Sequence, residues 1–481
     1  MHVVVALARV GYVAALAVLG LYGLHRLFLT LAAMGRARRD PVPPWADGEP
    51  DMPVVTVQIP LYNERHVAAR AIDAACALAW PNARLEVQIL DDSTDDTTAI
   101  CAERAAFHRA RGIDVRHLHR DSRTGFKAGA LAAGLACARG EIVAVIDADF
   151  VLPADFLART AGYFRDPEVG MVQARWEHLN RNASLLTEVQ AVILDGHFAI
   201  EQRARHQLGR GFNFNGTAGL WRRQAIIDAG GWQADTLTED LDLSYRALLA
   251  GWRFEYVNDV TAPAELPADI NAFKSQQFRW AKGSVEVARK VLWPVVRSPL
   301  RWPVKVEAAM HLTQNLPYLW TLLLIVCAVP ALLGSPDSVP AMWDIGLALA
   351  TTGTFGLYAG VAQRALGRRG GLWRGLVMLP AVIAVMAGMA VAQARAVWLG
   401  LVGRPSPFVR TPKRGDAARH LCYRARPDGT ARFELALALT FATATAWAVS
   451  AGRLACVPIF ATFFAGFAYV GKSSIEARRK K

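Results

Sequence analysis

At 481 residues the chain is longer than one ordinary core and calls for two or three structural units. Its 53% hydrophobic residues and mean hydropathy of +0.20 stand beside 20% charged residues, so one part suits lipid and another suits water. The formal charge of +13 gathers beside apolar runs, in MGRARRD, RALGRRGG and EARRKK, with no RNA or DNA module signature; this argues against a nucleic-acid partner and for cytoplasmic membrane flanks.

In chain order, Val3 to Leu31 is a long apolar run followed by Arg36, Arg38 and Arg39. It reads as an N-terminal transmembrane helix (1–35) with its C-terminal end inside; a cleaved signal peptide carries its charges before the run, not after it. A Pro-rich linker (36–52) leads to a soluble α/β pattern over 53–270. Strand-like runs Val54 to Ile59, Leu85 to Leu90 and Ile142 to Ile146 alternate with helical stretches His66 to Leu78, Asp96 to Arg111 and Lys127 to Ala138. This alternation predicts a mostly parallel sheet, helices on both faces, and a site at the strand C-termini.

Residues 271–305 read as interfacial amphipathic helices, and 306–475 as a membrane domain ending in a basic tail, 476–481. Apolar runs recur at Leu312 to Gly334, Trp343 to Gln363, Leu372 to Val402, Phe433 to Val449 and Leu454 to Val470. The loops flanking Leu372 to Val402 are both strongly basic and belong inside, so this segment cannot cross once. It is also too short for two helices of about 20 residues. With Pro380 and the polar pair Gln393 and Arg395, it is expected to be interfacial or re-entrant. That leaves five spans, an outside N-terminus and a cytosolic soluble domain; a sixth span is the alternative. The six cysteines (Cys76, Cys101, Cys137, Cys327, Cys422, Cys456) lack CxxC spacing, which fits a reducing compartment rather than a zinc site or disulfide framework.

Five short motifs carry candidate chemistry. EIVAVIDADF ends an apolar strand in Asp147 and Asp149, whose side chains fall on one side of an extended chain. LEVQILDDSTDDT delivers Asp91 and Asp92 at the end of another strand. Alone, each is an ordinary pair of helix-capping acids; together they concentrate like charge that a hard divalent cation, Mg²⁺ or Mn²⁺, would neutralise, with phosphate oxygens in its shell. In DSRTGFKAGAL, Lys127 lies in a first helical turn, which disfavours a cation unless an anion binds there; the plain alternative is a solvated lysine. TLTEDLDLSYR puts Thr238, Glu239 and Asp240 at a helix start, where acids are common but a carboxylate beside a diphosphate can also act as a base. Finally, NAFKSQQFRWAKG sets Gln276, Arg279 and Trp280 on one helix face, as interface anchors or as a sugar-stacking and diphosphate-binding surface.

In this order the motifs resemble the processive family 2 glycosyltransferases, with a GT-A (Rossmann-like) α/β cytosolic domain embedded in an α-helical membrane domain. The resemblance covers roughly Pro53 to Trp280. The words QIPLYNE, LDDSTD, TGFKAGAL, DADF, VQARW, FNGTAGLWR and QQFRW are similar to cellulose-synthase-like enzymes that make mannan, glucomannan and the xyloglucan backbone, and to their bacterial relatives. The resemblance implies an inverting hexosyltransferase of the inner (plasma) membrane, making a β-linked, β-1,4 polysaccharide from a nucleotide sugar, UDP-glucose or GDP-mannose. The alternative is transfer of one sugar to ceramide, diacylglycerol or a polyprenyl phosphate; a transporter or inactive scaffold is a third reading.

Carried onto matching positions, the resemblance makes Asp240 the base and gives Asp92, with Asp91, to the nucleotide. It assigns Asp147 and Asp149 to diphosphate and metal, and Lys127 to phosphates; Glu239 is counted with the substrate-binding residues. Asn215, Gly216 and Thr217 would line the acceptor entrance, and Gln276, Arg279 and Trp280 would bind acceptor and pyrophosphate. Tyr318, Trp320 and Trp398 would offer stacking surfaces in a glycan channel or pack at the lipid interface, and a secretion partner is possible. The FVRTPKRG segment, Phe408 to Gly415, is similar to a gating loop that follows an interfacial helix. No cyclic-di-GMP-binding domain of the bacterial cellulose synthase type is evident, which argues against control by that nucleotide.

Overall fold

The computed structural model describes residues 2–35, 45, 49, 51–334, 346–406 and 429–479. Among these residues seven strands form one sheet: β1 (Val55–Leu61), β2 (Leu85–Asp91), β3 (Asp114–His119), β4 (Ile142–Val145), β5 (Val169–His178), β6 (Gly219–Arg222) and β7 (Arg253–Ala264). The order is β3-β2-β1-β4-β6-β5-β7, and all pairs are parallel except those of β6 with β4 and β5. Helices of nine or more residues are α1 (His2–Ala33), α2 (Ala68–Cys76), α3 (Thr97–Arg109), α4 (Phe126–Cys137), α5 (Leu185–Gly196), α6 (Glu239–Leu249), α7 (Ile270–Arg297), α8 (Trp302–Leu312), α9 (Pro317–Leu333), α10 (Thr354–Ala365), α11 (Gly371–Gly388), α12 (Ala390–Leu401), α13 (Ala431–Ser450) and α14 (Val457–Arg479).

The three strands expected from apolar runs are β1, β2 and β4, and each is buried almost throughout because helices cover both faces. On one face Val55, Val57 and Ile59 join a large apolar cluster. On the other face the register sets Thr56 beside Glu86 and Gln58 beside Gln88, and both pairs hydrogen-bond at 2.6 and 3.0 Å. Burying these side chains is tolerable because each hydrogen-bonds across the strands, and Glu86 Oε1 is met in addition by Arg116 Nε at 3.1 Å. Gly134 of α4 makes room for them, since a Cβ there would lie 2.6 Å from Gln58 Nε2.

Strand β6 runs against its neighbours, so the loop entering it lies at the C-terminal end of β4. Ala218 N donates to Val145 O at 3.0 Å, and Asp147 N donates to Thr217 Oγ1 at 2.8 Å. The reversal therefore brings residues 213–218 beside the DxD segment.

Helix α7 is the seam between the sheet domain and the long apolar helices. Asp269 caps it, accepting from Asn271 N and Ala272 N. Its first turns (Ile270, Phe273) pack on α5 and α11, Ala281 and Val285 pack on α12, and Val287, Val291 and Val295 pack on α6 and α8. Among the described residues four helices, His2–Ala33, Gly371–Gly388, Ala431–Ser450 and Leu454–Ala477, are long and apolar enough to cross a membrane, and α8 with α9, bent by 52°, makes a fifth if counted as one span.

Residues 372–402 form two helices, not one segment, parted at Met389. Helix α11 alone meets the length and apolarity of a crossing helix, whereas α12 lies along α7 and α9. Gln393 is buried and Arg395 is exposed, because residues two apart on a helix point in different directions. The residues 408–415 of the gating-loop expectation lie outside the described residues.

Candidate active site

A cavity of about 210 Å³ opens at the C-terminal ends of β1, β2 and β4, where the strand pattern places it. Asp92, Lys127, Asp147, Asp149, Asn215, Gly216, Glu239, Asp240, Gln276, Arg279 and Trp280 all line it. Thus the motifs spread over nearly 200 residues of sequence meet in one place.

The DxD residues arrive there by a turn and not by an extended pleat. Strand β4 stops at Val145, and Phe150 N donates to Asp147 O at 3.0 Å, closing a turn that aims both carboxylates at the cavity. The expected convergence holds while its expected cause does not.

Lys127 sits in the first turn of α4, entered through Gly125 in the left-handed region (φ +74°). Its Nζ donates to Asp147 Oδ1 at 2.6 Å and to Gly216 O at 2.8 Å, and lies 3.8 Å from Glu239 Oε1. Burial alone would lower the pKa of this ammonium, but Asp147 and Glu239 together raise it, so it stays charged. Gly216 must be glycine: its φ is +79°, and a Cβ would stand 3.0 Å from Asp240 Oδ2.

The carboxylates on α6 are shifted the other way. Burial, reinforced by Glu239, pushes Asp240 up to about 7 against the pull of Lys127. Burial likewise raises Glu239, opposed by Lys127. A carboxyl group that titrates near neutrality is a stronger base than an ordinary aspartate and is still ionised in a useful fraction at pH 7. On the facing helix α7, burial draws the Arg279 guanidinium down to about 10, against Glu239 and Asp147, and it remains a cation.

Close approach of α7 to α6 depends on Gly283. A Cβ there would lie 2.6 Å from Thr238 Cγ2 and 3.0 Å from Thr238 N, so the helix carrying Gln276, Arg279 and Trp280 meets the TED segment only because this position has no side chain. Trp280 faces Trp176 with ring centroids 6.5 Å apart, and Trp176 packs edge-on to Phe150 at 5.2 Å, giving the cavity an aromatic wall.

Two expected residues do not face the cavity. Asp91 is fully buried: its Oδ2 accepts from His117 Nε2 and His119 Nδ1 at 3.0 and 3.1 Å, and its Oδ1 accepts from Ser93 N. Burial would raise this carboxyl, but the hydrogen bonds from His117 and Ser93 hold it well below the usual range. Adjacent residues of a strand point to opposite faces, so of the DD pair only Asp92 reaches the cavity. Thr217 is also buried and ties β4 to β6 instead of lining an entrance. Asp92 itself is gripped by Arg120 through Nε and Nη2 at 2.7 and 2.6 Å. Arg120 and the cavity residues Trp176 and His178 were missed by sequence reasoning; Arg120 becomes findable only once β3 is seen to end beside β2.

Residues 50–283 match the family described as glycosyltransferase like family 2. They form a family 2 glycosyltransferase domain. Among sequence relatives, a glucomannan 4-beta-mannosyltransferase 1 of Oryza sativa subsp. japonica is 40% identical over 319 residues, covering 62% of this chain and 60% of the relative. A glucomannan 4-beta-mannosyltransferase 2 of Arabidopsis thaliana is 44% identical over 256 residues, 52% of this chain and 48% of the relative. The chain thus spans about half to three fifths of the length of these curated relatives. The glycosyltransferase domain and its helices also superimpose on a mannosyltransferase from Pyrobaculum calidifontis, solved with GDP-Man and Mn²⁺, with a TM-score of 0.55 at 21% identity over 82% of this chain and 99% of that one. That likeness establishes the GT-A fold with its mixed sheet.

Proposed function

We propose that the chain is a membrane-embedded inverting hexosyltransferase that extends a β-1,4-linked mannan or glucomannan from a nucleotide sugar; mannosyl transfer is what the curated relatives' names describe, and GDP-mannose is the donor bound in the Pyrobaculum calidifontis mannosyltransferase. The observation that carries this reading is the meeting of Asp240, raised to about 7, with Lys127, Asp147, Glu239 and Arg279 around one aromatic-walled cavity.

In the proposed reaction Asp240 takes the proton from the acceptor hydroxyl as that oxygen attacks the anomeric carbon from the face opposite the diphosphate, giving a β-linkage without a covalent sugar intermediate. Arg279 and Lys127 offer cations to the departing diphosphate. Trp280 and Trp176 present flat apolar faces to sugar rings and exclude water.

Asp147 and Asp149 suit Mg²⁺ or Mn²⁺: both border the cavity, both offer hard oxygen, and two carboxylates leave coordination positions for phosphate oxygens. Bound there, the cation would offset charge on the diphosphate. Asp91, Cys101 and His117 bring ligand atoms within 4.8 Å of one another, but they lie behind the cavity, not in it.

The apolar helices support a multi-pass protein with the glycosyltransferase domain on the cytoplasmic side, as the basic flanks indicate. Helix α11 is a crossing candidate that the reading of the sequence left out, and α12, laid along α7, fits the interfacial role better. The full chain in lipid nanodiscs, given GDP-mannose or UDP-glucose with Mg²⁺ or Mn²⁺, tests the proposal. The expected product comes from GDP-mannose and is cut by an endo-β-1,4-mannanase; a single lipid-soluble monoglycoside, or no turnover with either donor, overturns it.

A further inference from the structure

Helix α5 does not end at Gly196. It continues through a π-helical turn, His197–Gln202, and then one more α-helical turn. In an α-helix, residues five apart are separated by about 140° around the axis. The wider π turn, with its i→i+5 bonding, brings them to one face. Here His197 and Gln202 both reach Asn215: Asn215 Nδ2 lies 3.0 Å from His197 Nε2, and Gln202 Nε2 donates to Asn215 Oδ1 at 2.7 Å.

The roles of these atoms are fixed by their other partners. His197 Nδ1 faces Glu201 Oε2 at 3.4 Å, and a carboxylate only accepts, so Nδ1 carries the proton and Nε2 accepts from Asn215. Gln202 Nε2 also donates to Asn213 O at 2.9 Å, so its amide cannot reverse without losing both bonds. The Asn215 amide is therefore held at both ends, and one N–H and one carbonyl lone pair remain. A sugar hydroxyl, which donates and accepts at once, complements that pair.

The turn is itself pinned from the membrane side. Glu201 Oε1 accepts from Tyr358 Oη of α10 at 3.0 Å. Gly196, immediately before the turn, lies against the same ring, where a Cβ would stand 2.3 Å from Tyr358 Cε1.

We propose that His197 and Gln202 are positioning residues that orient the Asn215 amide to bind a hydroxyl of the acceptor glycan. This rests on the polymerase reading above. Full-length protein in nanodiscs, with donor, metal and β-1,4-manno-oligosaccharides of increasing length, supplies the test. Acceptor-independent donor hydrolysis serves as the internal reference.

His197→Phe and Gln202→Leu should each raise the acceptor KM about three- to tenfold, the loss of one oriented hydrogen bond, with kcat changed much less. His197→Gln, which can restore an accepting atom, should recover most of the affinity. In the His197→Phe/Asn215→Ala double variant the acceptor KM should equal that of Asn215→Ala alone, because the clamp acts only through Asn215. Additive losses, or parallel losses in donor hydrolysis and acceptor use, would show a merely structural role and overturn the inference. If the wild-type protein hydrolyses donor but no oligosaccharide alters its turnover, the acceptor class is wrong and the polymerase reading falls with it.

Discussion

The sheet core and the α7 seam are built on opposite principles. In the core, Val55, Val57, Ile59, Val87 and Ile89 are closed off by apolar neighbours, and polar side chains pair locally across adjacent strands. At the seam, buried charges join elements distant in sequence: Lys274 of α7 meets Glu434 of α13 at 2.7 Å, and Arg205 meets Glu307 of α8 at 3.0 Å. Apolar packing is strong but forgiving of small slides, whereas a buried ion pair is nearly neutral when made and costly when misplaced. The core therefore stabilises the domain, and at the seam the Lys274–Glu434 pair adds a fixed point to the apolar packing of α7.

This division bears on the site because the cavity has one wall from each region. Asp92, Lys127, Asp147 and Asp149 come from the sheet side; Gln276, Arg279 and Trp280 come on α7. The largest expected effect tests the chemistry held between them. Asp240→Asn removes the base while keeping the shape, and kcat should fall by about 10² to 10⁴ with donor affinity little changed. Single-turnover assays with donor binding measured in parallel check this, and unchanged turnover would place the base elsewhere.

The next prediction separates seam from core. Lys274→Met leaves the Glu434 carboxylate buried without its ammonium and should cost about 3–5 kcal/mol, with activity falling because Arg279 and Trp280 shift with α7. Adding Glu434→Leu should recover most of the stability. In the core, Ile59→Ala should cost about 2–5 kcal/mol by opening a cavity, yet its remaining folded fraction should turn over normally. Thermal unfolding in nanodiscs, set against specific activity per folded molecule, distinguishes the two; equal activity losses at equal destabilisation would erase the proposed contrast.

The same contrast explains what could be read from the sequence. Strands β1, β2 and β4 are legible because burial on both faces makes them continuous apolar runs. Strand β3 is not, since DVRHLH has only Val115 and Leu118 to mark it and lies at the sheet edge. The motif residues were legible as chemistry, but not their cause of meeting: a turn aims Asp147 and Asp149, and Asp91 faces away. Arg120 on Asp92 depends on the pairing of β3 with β2, and Trp176 against Trp280 on α7 meeting β5, which no local pattern encodes. The break at Met389 was hidden because α11 and α12 are both apolar. Trp398, one of the proposed channel aromatics, is 59% exposed, as a lipid-facing anchor would be.

The smallest effect concerns His178, at the sheet end of the seam, where Glu177, Arg181, Asp195 and Arg368 surround it. Burial depresses its imidazole to about 4, with Asp195 opposing and Arg181 adding. The unfolded chain takes up a proton near pH 6.5, before the folded one does, so the stability held above that pH drains away as pH falls through 6.5 toward 4. Between pH 7 and 5.5 this amounts to about 1 kcal/mol. Glu177, depressed to about 2 by the Arg368 and His178 hydrogen bonds despite its burial, starts to lose its contribution only below pH 4.5, so it does not confuse that window. His178→Gln should show a flatter unfolding temperature from pH 7 to 5.5 than wild type, and the difference between the two proteins isolates the imidazole from every other group. Parallel curves would mean that His178 is hydrated in the folded protein, and that the seam is less closed at this end than at Lys274.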